Sequence, residues 1–325
     1  MKQTNDYQKV AVIGSGMIGV SWGVVFARGG LQVSLYNRKS ATLETAPARM
    51  RALLDFLCAE GVITEDGVQE AMDRVLFTDS LEDALRGADY VQECMWEDLE
   101  LKRDIFQRVS AILPADVPIG SSCSGLRITD IASRVTHHPE RCIVAHPTNP
   151  PHLIPFMEIA GDQASQEIKD AVFAFMEHLG QKPIQCKEVY GYVLNRIQLS
   201  LIQEALYLVK EGICSVEAVE RAVTDGLGLR WAFTGPYGVE ELNSDNLADG
   251  LAKYKDYMIE FFANQQQKVL DYDETFINDA AGQFRPVMRG LSHEEYEAWR
   301  NKMLIRTRML KKDIKTEKAN APLSD

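Results

Sequence analysis

His146 and Glu158 stand 12 residues apart in the stretch HPTNPPHLIPFMEI, and of the side chains in this sequence they form the pair best suited to move a proton. Histidine titrates near neutrality, and a carboxylate partner orients its ring and strengthens it as acceptor for the proton of an alcohol that loses hydride. Four prolines crowd the same stretch. They stiffen the backbone and remove hydrogen-bond donors, so the polar residues sit in a rigid turn between two apolar runs, CIVA and FMEIA, that read as short buried strands. Strand ends of this kind are where α/β proteins carry reactive groups.

A second chemical signal lies near the start of the chain. VAVIGSGMIG carries Gly14, Gly16 and Gly19 directly after a strand pattern and at the opening of a helical one, with Met17 and Ile18 in the helix's first turn. The first glycine permits a tight turn, the second lets the backbone approach a pyrophosphate, and the third allows close helix-on-strand packing. The free N–H groups of the helix N-terminus then face the phosphates. An acid that holds the adenosine ribose is expected where the second strand ends. That position holds Asn37, followed by Arg38 and Lys39. Asparagine can bond a ribose hydroxyl and Arg38 would welcome a 2′-phosphate, so NAD and NADP both stay open as cofactor.

The elements that must position these groups follow from periodicity. Apolar runs at 9–14, 31–37, 75–78, 89–94, 117–122, 142–146, 156–160 and 182–187 read as strands, most of them separated by helical stretches. That alternation predicts a doubly wound parallel sheet. Beyond 187 the strands stop, and Val193, Leu194, Ile197, Leu201, Ile202 and Leu206 follow helical spacing. The expected organisation is an α/β domain over 1–187 and an all-α domain over 188–325.

Composition narrows the partners. The formal net charge of −12 argues against nucleic acid, which is bound through clustered Lys and Arg. The basic run from Arg300 to Lys312 reads as a solvated or subunit-facing helix surface. No apolar run approaches the roughly 20 residues that span a bilayer, and the polar start runs straight into a strand, so a cytoplasmic protein without membrane contact is expected. Six cysteines are scattered without a C-x-x-C pair, which supports neither a disulfide framework nor a metal site.

GSGMIG, SSCSGLRITDIA, AHPTNPPHLIPFMEIA and GYVLNR, in that order, resemble the L-3-hydroxyacyl-CoA dehydrogenase superfamily over essentially the whole chain. The resemblance implies an N-terminal Rossmann domain, a helical C-terminal domain that mediates dimerisation, a cleft between them, and NAD as the usual cofactor. It also implies His146 as general base with Glu158 as its partner, and Ser124 and Asn195 as holders of the substrate oxygens. Asn149 in the proline-rich turn belongs with the substrate, and Glu97 and Lys102 in CMWEDLELK with the nicotinamide side of the cofactor. Cys123, beside Ser124, reads as a buried structural thiol, and His152 at most supports a neighbour of the ligand.

GLGLRWAFTGP at 226–236 and EAWRNKMLI further resemble a branch that includes lambda-crystallin, L-gulonate 3-dehydrogenase and L-carnitine dehydrogenase, whose enzymes act on free L-3-hydroxy acids. In that setting Arg230 would grip a carboxylate and Trp231 would face a cation or a sugar. CoA-binding relatives carry a lysine-rich helical hairpin after the second strand. Here residues 41–74 hold Glu44, Asp55, Glu60, Glu65, Asp66, Glu70 and Asp73 against Arg49, Arg51 and Arg74, a poor surface for CoA phosphates. The expected activity is NAD(P)-dependent, reversible oxidation of a small L-gulonate- or L-carnitine-like 3-hydroxy acid. The alternatives are an acyl-CoA substrate and a non-catalytic, lambda-crystallin-like structural role.

Overall fold

The computed structural model describes residues 6–38, 41–264 and 273–320, which leaves Lys39 outside. Along the chain, β1 (Lys9–Ile13), α1 (Met17–Arg28), β2 (Gln32–Tyr36), the helical pair α2 (Ala41–Ala59) and α3 (Glu65–Asp73), and β3 (Val75–Thr78) form the first half of a sheet. The second half follows as α4 (Leu81–Leu85), β4 (Tyr90–Glu93), α5 (Leu99–Ile112), β5 (Ile119–Ser121), α6 (Ile128–Ile131), β6 (Cys142–Pro147), β7 (Phe156–Ala160), α7 (Gln166–His178) and β8 (Lys182–Gln185). All eight strands expected from the apolar runs are present, in the order β3-β2-β1-β4-β5-β6-β7-β8.

The sheet is near-continuously apolar because helices cover both faces. Under one face, Trp22 and Phe26 of α1 stack at 5.2 Å, and Phe26 and Tyr90 meet Phe175 of α7 at 6.3 and 5.5 Å. Under the other, Leu85, Ile105, Phe106, Val109 and Ile131 pack against Ile13, Val91 and Ile119. Each such fully buried side chain contributes about 1.5–3 kcal/mol relative to exposure.

One pairing departs from the parallel expectation: β6 and β7 run antiparallel. The connection, residues 148–155, is shorter than the dozen or so residues a parallel crossover requires, so the chain must turn back on itself. The register sets His146 directly opposite Glu158.

The chain divides into two compact units, Met1–Ile197 and Gln198–Asp325. Residues 188–197, grouped by periodicity with the helical part, thus lie in the first unit. The second unit is helical: most of α8 (Leu194–Lys210), α9 (Val216–Arg221), a π-helical stretch over 222–227, α10 (Gly228–Trp231), α11 (Pro236–Leu242), α12 (Leu247–Asn264), α13 (Glu274–Val287) and α14 (His293–Asn320). Among the described residues no helix is long and apolar enough to cross a membrane, and no group of three His, Cys, Asp or Glu could hold a metal ion.

Candidate active site

The loop between β1 and α1 is shaped by its glycines. Gly14 has φ +113°, and a Cβ there would lie 2.7 Å from the Cys94 carbonyl oxygen; one on Gly19 would lie 1.8 Å from the Gly14 oxygen. Gly16, by contrast, faces open space with nothing within 4 Å, and as N-cap of α1 it brings no side chain to the first-turn N–H groups of Met17 and Ile18. The helix end is therefore open to an anion, and the residues present fit a dinucleotide pyrophosphate. Where β2 ends, Asn37 Nδ2 donates to Ser15 Oγ (2.9 Å) and Thr42 Oγ1 (2.7 Å). Asn37 and Arg38 border a cleft of about 300 Å³, together with Tyr36, Met95, Ile105 and Arg108.

His146 and Glu158 meet across the β6–β7 register. His146 Nδ1 lies 2.8 Å from Glu158 Oε2, and their side chains are 6% and 0% exposed. The other carboxylate oxygen accepts the backbone N–H groups of Val193 (2.7 Å) and Leu194 (2.8 Å) at the start of α8. Burial works to raise the Glu158 pKa, but the bonds from His146, Leu194 and Val193 outweigh it and hold the carboxyl below its ordinary value. An ionised Glu158 can only accept, so the His146 Nδ1 that faces it carries a proton. Tyr192 lies beside the pair, its ring 5.8 Å from that of His146 and its hydroxyl donating to the Leu126 carbonyl at 2.8 Å.

Asn195 follows Leu194 in α8, and its Nδ2 donates to the Ser124 carbonyl at 3.3 Å. The Ser124 loop is fixed from below by Glu97, whose Oε1 accepts the N–H groups of Ser124 (2.9 Å), Gly125 (2.8 Å) and Leu126 (3.3 Å). His146, Glu158, Asn195, Ser124 and Glu97 are thus joined through short backbone steps within the first unit. Asn149 is exposed in the proline-rich turn. Arg230 and Trp231 belong to the second unit, where both are exposed on α10.

Lys102, grouped with the cofactor by the resemblance, is enclosed by protein groups. It is 1% exposed and its ammonium is enclosed: 2.8 and 2.9 Å from the Glu93 oxygens and 3.3 Å from the Met95 carbonyl. Burial lowers its pKa, yet the Glu93 charge beside it overrides this and raises the pKa overall. Glu93 was missed at the sequence level. Its carboxylate also accepts the Ser121 hydroxyl (2.5 Å) and the Met95 N–H (2.6 Å), tying the ends of β4 and β5 together beneath the site. The available signal was a carboxylate inside an otherwise buried strand pattern, which requires a partner. A second missed contact joins the turn to the cofactor helix: Ser21 Oγ accepts the His152 N–H at 3.2 Å and lies 2.7 Å from His152 Nδ1. Cys123 is buried, its thiol pushed up to about 12 by burial, so it is no nucleophile.

Comparison with known proteins accords with this geometry. The family model "3-hydroxyacyl-CoA dehydrogenase, NAD binding domain" matches residues 9–189, and the C-terminal domain model of the same family matches residues 191–271. Among relatives, the human lambda-crystallin homolog is 36% identical over 76% of this chain and 78% of its own. L-Carnitine dehydrogenase of Oceanobacillus iheyensis is 37% identical over 74% and 77%. A solved NAD+-dependent dismutase, 5-formyl-3-hydroxy-2-methylpyridine 4-carboxylic acid 5-dehydrogenase, superposes with a TM-score of 0.78 at 25% identity, covering 95% of this chain and 99% of that one. With the cofactor-domain and C-terminal models matching consecutively along it, the chain belongs to the 3-hydroxyacyl-CoA dehydrogenase family.

Proposed function

We propose that the protein reversibly oxidises the 3-hydroxyl of a small, free L-3-hydroxy acid, of the L-carnitine or L-gulonate kind, to the ketone, with a nicotinamide dinucleotide as partner. Family membership carries the coarser statement, a dehydrogenase of CH–OH groups with an NAD-binding domain. The observation that carries the chemistry is the buried His146–Glu158 contact at 2.8 Å. His146 Nε2 takes the hydroxyl proton, and Glu158 stabilises the imidazolium that results without itself becoming protonated. The Ser124 hydroxyl and the Asn195 amide hold substrate oxygens, since both bond without taking up charge. When bound, the nicotinamide ring supplies the two-electron acceptor.

A free acid is favoured over an acyl-CoA by the α2–α3 pair. Each of its three arginines is engaged within the protein: Arg49 on the Ser15 and Thr42 carbonyls (2.6 and 2.7 Å), Arg51 on Asp55 (2.9 Å) and Arg74 on Glu70 (3.2 Å). Relatives named L-carnitine dehydrogenase support the same choice. Arg230 and Trp231 are the proposed grips for the far end of the substrate. Self-association through the helical part is proposed as well, because Ile197, Leu199 and Ile202 of α8 and Tyr257 and Ile259 of α12 are exposed apolar residues. The six free cysteines suit a reducing compartment, and the cytoplasm is the proposed location.

The deciding experiment follows reduced-nicotinamide absorbance with NAD and NADP crossed against L-carnitine, L-gulonate, L-3-hydroxybutyrate and its CoA thioester. Turnover of a free acid supports the proposal. Turnover of the thioester alone would transfer it to the acyl-CoA reading, and dinucleotide binding without any turnover would favour a structural role. A mass of one chain by light scattering would remove the dimer.

A further inference from the structure

We infer that the cleft at the end of β2 is built for a 2′-phosphorylated adenosine, so that this chain takes NADP in preference to NAD. The inference rests on the proposed dehydrogenase reading and names the dinucleotide it uses. A ribose with two free hydroxyls is best held by a carboxylate that accepts from both, and the same carboxylate repels a phosphate at the 2′ position. No carboxylate stands there. Asn37 is neutral, and its Nδ2 is turned back onto the chain, 2.9 Å from Ser15 Oγ and 2.7 Å from Thr42 Oγ1.

The charge around it is cationic. Arg38 is exposed on the cleft wall with no partner among the described residues, and Arg108 borders the same cleft. Asp104 is the sole acid among the lining residues, and it is neutralised by Arg108 at 3.6 Å. Two arginines against one acid along the cleft wall, with Arg38 left over once Arg108 and Asp104 are paired, make a local excess that bare ribose hydroxyls do not require. A phosphate dianion matches it, since guanidinium forms bidentate, charge-assisted bonds to phosphate.

The test is direct titration of the folded full-length protein with NADPH and NADH, followed by ligand fluorescence, at low and high salt. NADPH is expected to bind at least about tenfold more tightly, and salt should erode that advantage because it comes from ion pairs near the surface. Arg38→Ala should shrink the NADPH-to-NADH ratio, and Asn37→Asp should invert it. AMP carrying an added 2′-phosphate should displace NADPH better than AMP does. Equal affinities, or tighter NADH, overturn the inference and leave the dehydrogenase reading in place. Failure of the folded protein to bind either dinucleotide overturns both.

Discussion

Replacing Glu158 by glutamine isolates the charge of the carboxylate from its shape. Its two oxygens do separate work: one meets His146 Nδ1 at 2.8 Å, the other accepts the N–H groups of Val193 and Leu194. In Glu158→Gln the amide oxygen must stay with the two backbone donors, because an NH2 group facing them would oppose donor to donor. The NH2 group then faces His146 and makes Nδ1 an acceptor, which moves the ring proton to Nε2, where the substrate proton should go. The wrong tautomer and an imidazolium without a counter-charge together predict a fall in turnover of about 10²–10⁴, or roughly 3–5 kcal/mol in the barrier. Dinucleotide affinity should be unchanged, because neither oxygen faces the glycine loop. Stability carries a separate signature. The Glu158 pKa is lower folded than unfolded, so its contribution is fully present above the ordinary value of 4.5 and is lost as pH falls through the folded value. The melting temperatures of wild type and variant should therefore draw together as pH falls from 4.5 through the lower folded value. The assay is steady-state turnover with thermal melts from pH 3 to 8. A variant within a fewfold of wild-type turnover would refute the tautomer argument.

Four other substitutions, one of them in a double variant, probe the site and its frame. His146→Ala should keep fold and dinucleotide binding while turnover falls by about two orders of magnitude or more; near-normal turnover removes His146 from the mechanism. Lys102→Met leaves the buried Glu93 carboxylate without its counter-charge, which costs about 3–5 kcal/mol and lowers the melting temperature by roughly 6–20 °C. Adding Glu93→Gln to it should recover part of the loss; a double variant that falls by the plain sum would show the two groups to be uncoupled. Ser21→Ala removes the hydroxyl that meets the His152 N–H and Nδ1, so a loss of about 1–3 kcal/mol is expected in denaturant unfolding, and none would mean that the turn is anchored elsewhere.

The sequence carried the local half of this structure. The glycine spacing, the eight apolar runs and the 12-residue interval from His146 to Glu158 each depend on neighbours close along the chain, and each reappears in the fold. Strand direction did not follow from periodicity, since a buried run looks the same pointing either way, and only the shortness of 148–155 forces β7 to turn back. The burial of Lys102, which the resemblance grouped with the cofactor, was not legible in the sequence. Its burial is decided by Glu93 on β4, and an ion pair across a turn leaves no periodic trace. Ser21 and His152 illustrate the limit further: their contact joins positions 131 residues apart, and neither residue type announces the other.

The antiparallel register of β6 and β7 makes the proposed proton-transfer pair an all-or-none device. Side chains alternate across a strand, so a slip of one residue would turn either partner through to the opposite face of the sheet rather than move it slightly out of line. Misfolded molecules should then be inert instead of slow. A preparation of half the expected activity would be a mixture of competent and dead copies, and its turnover number, once normalised by counting competent sites, should not change.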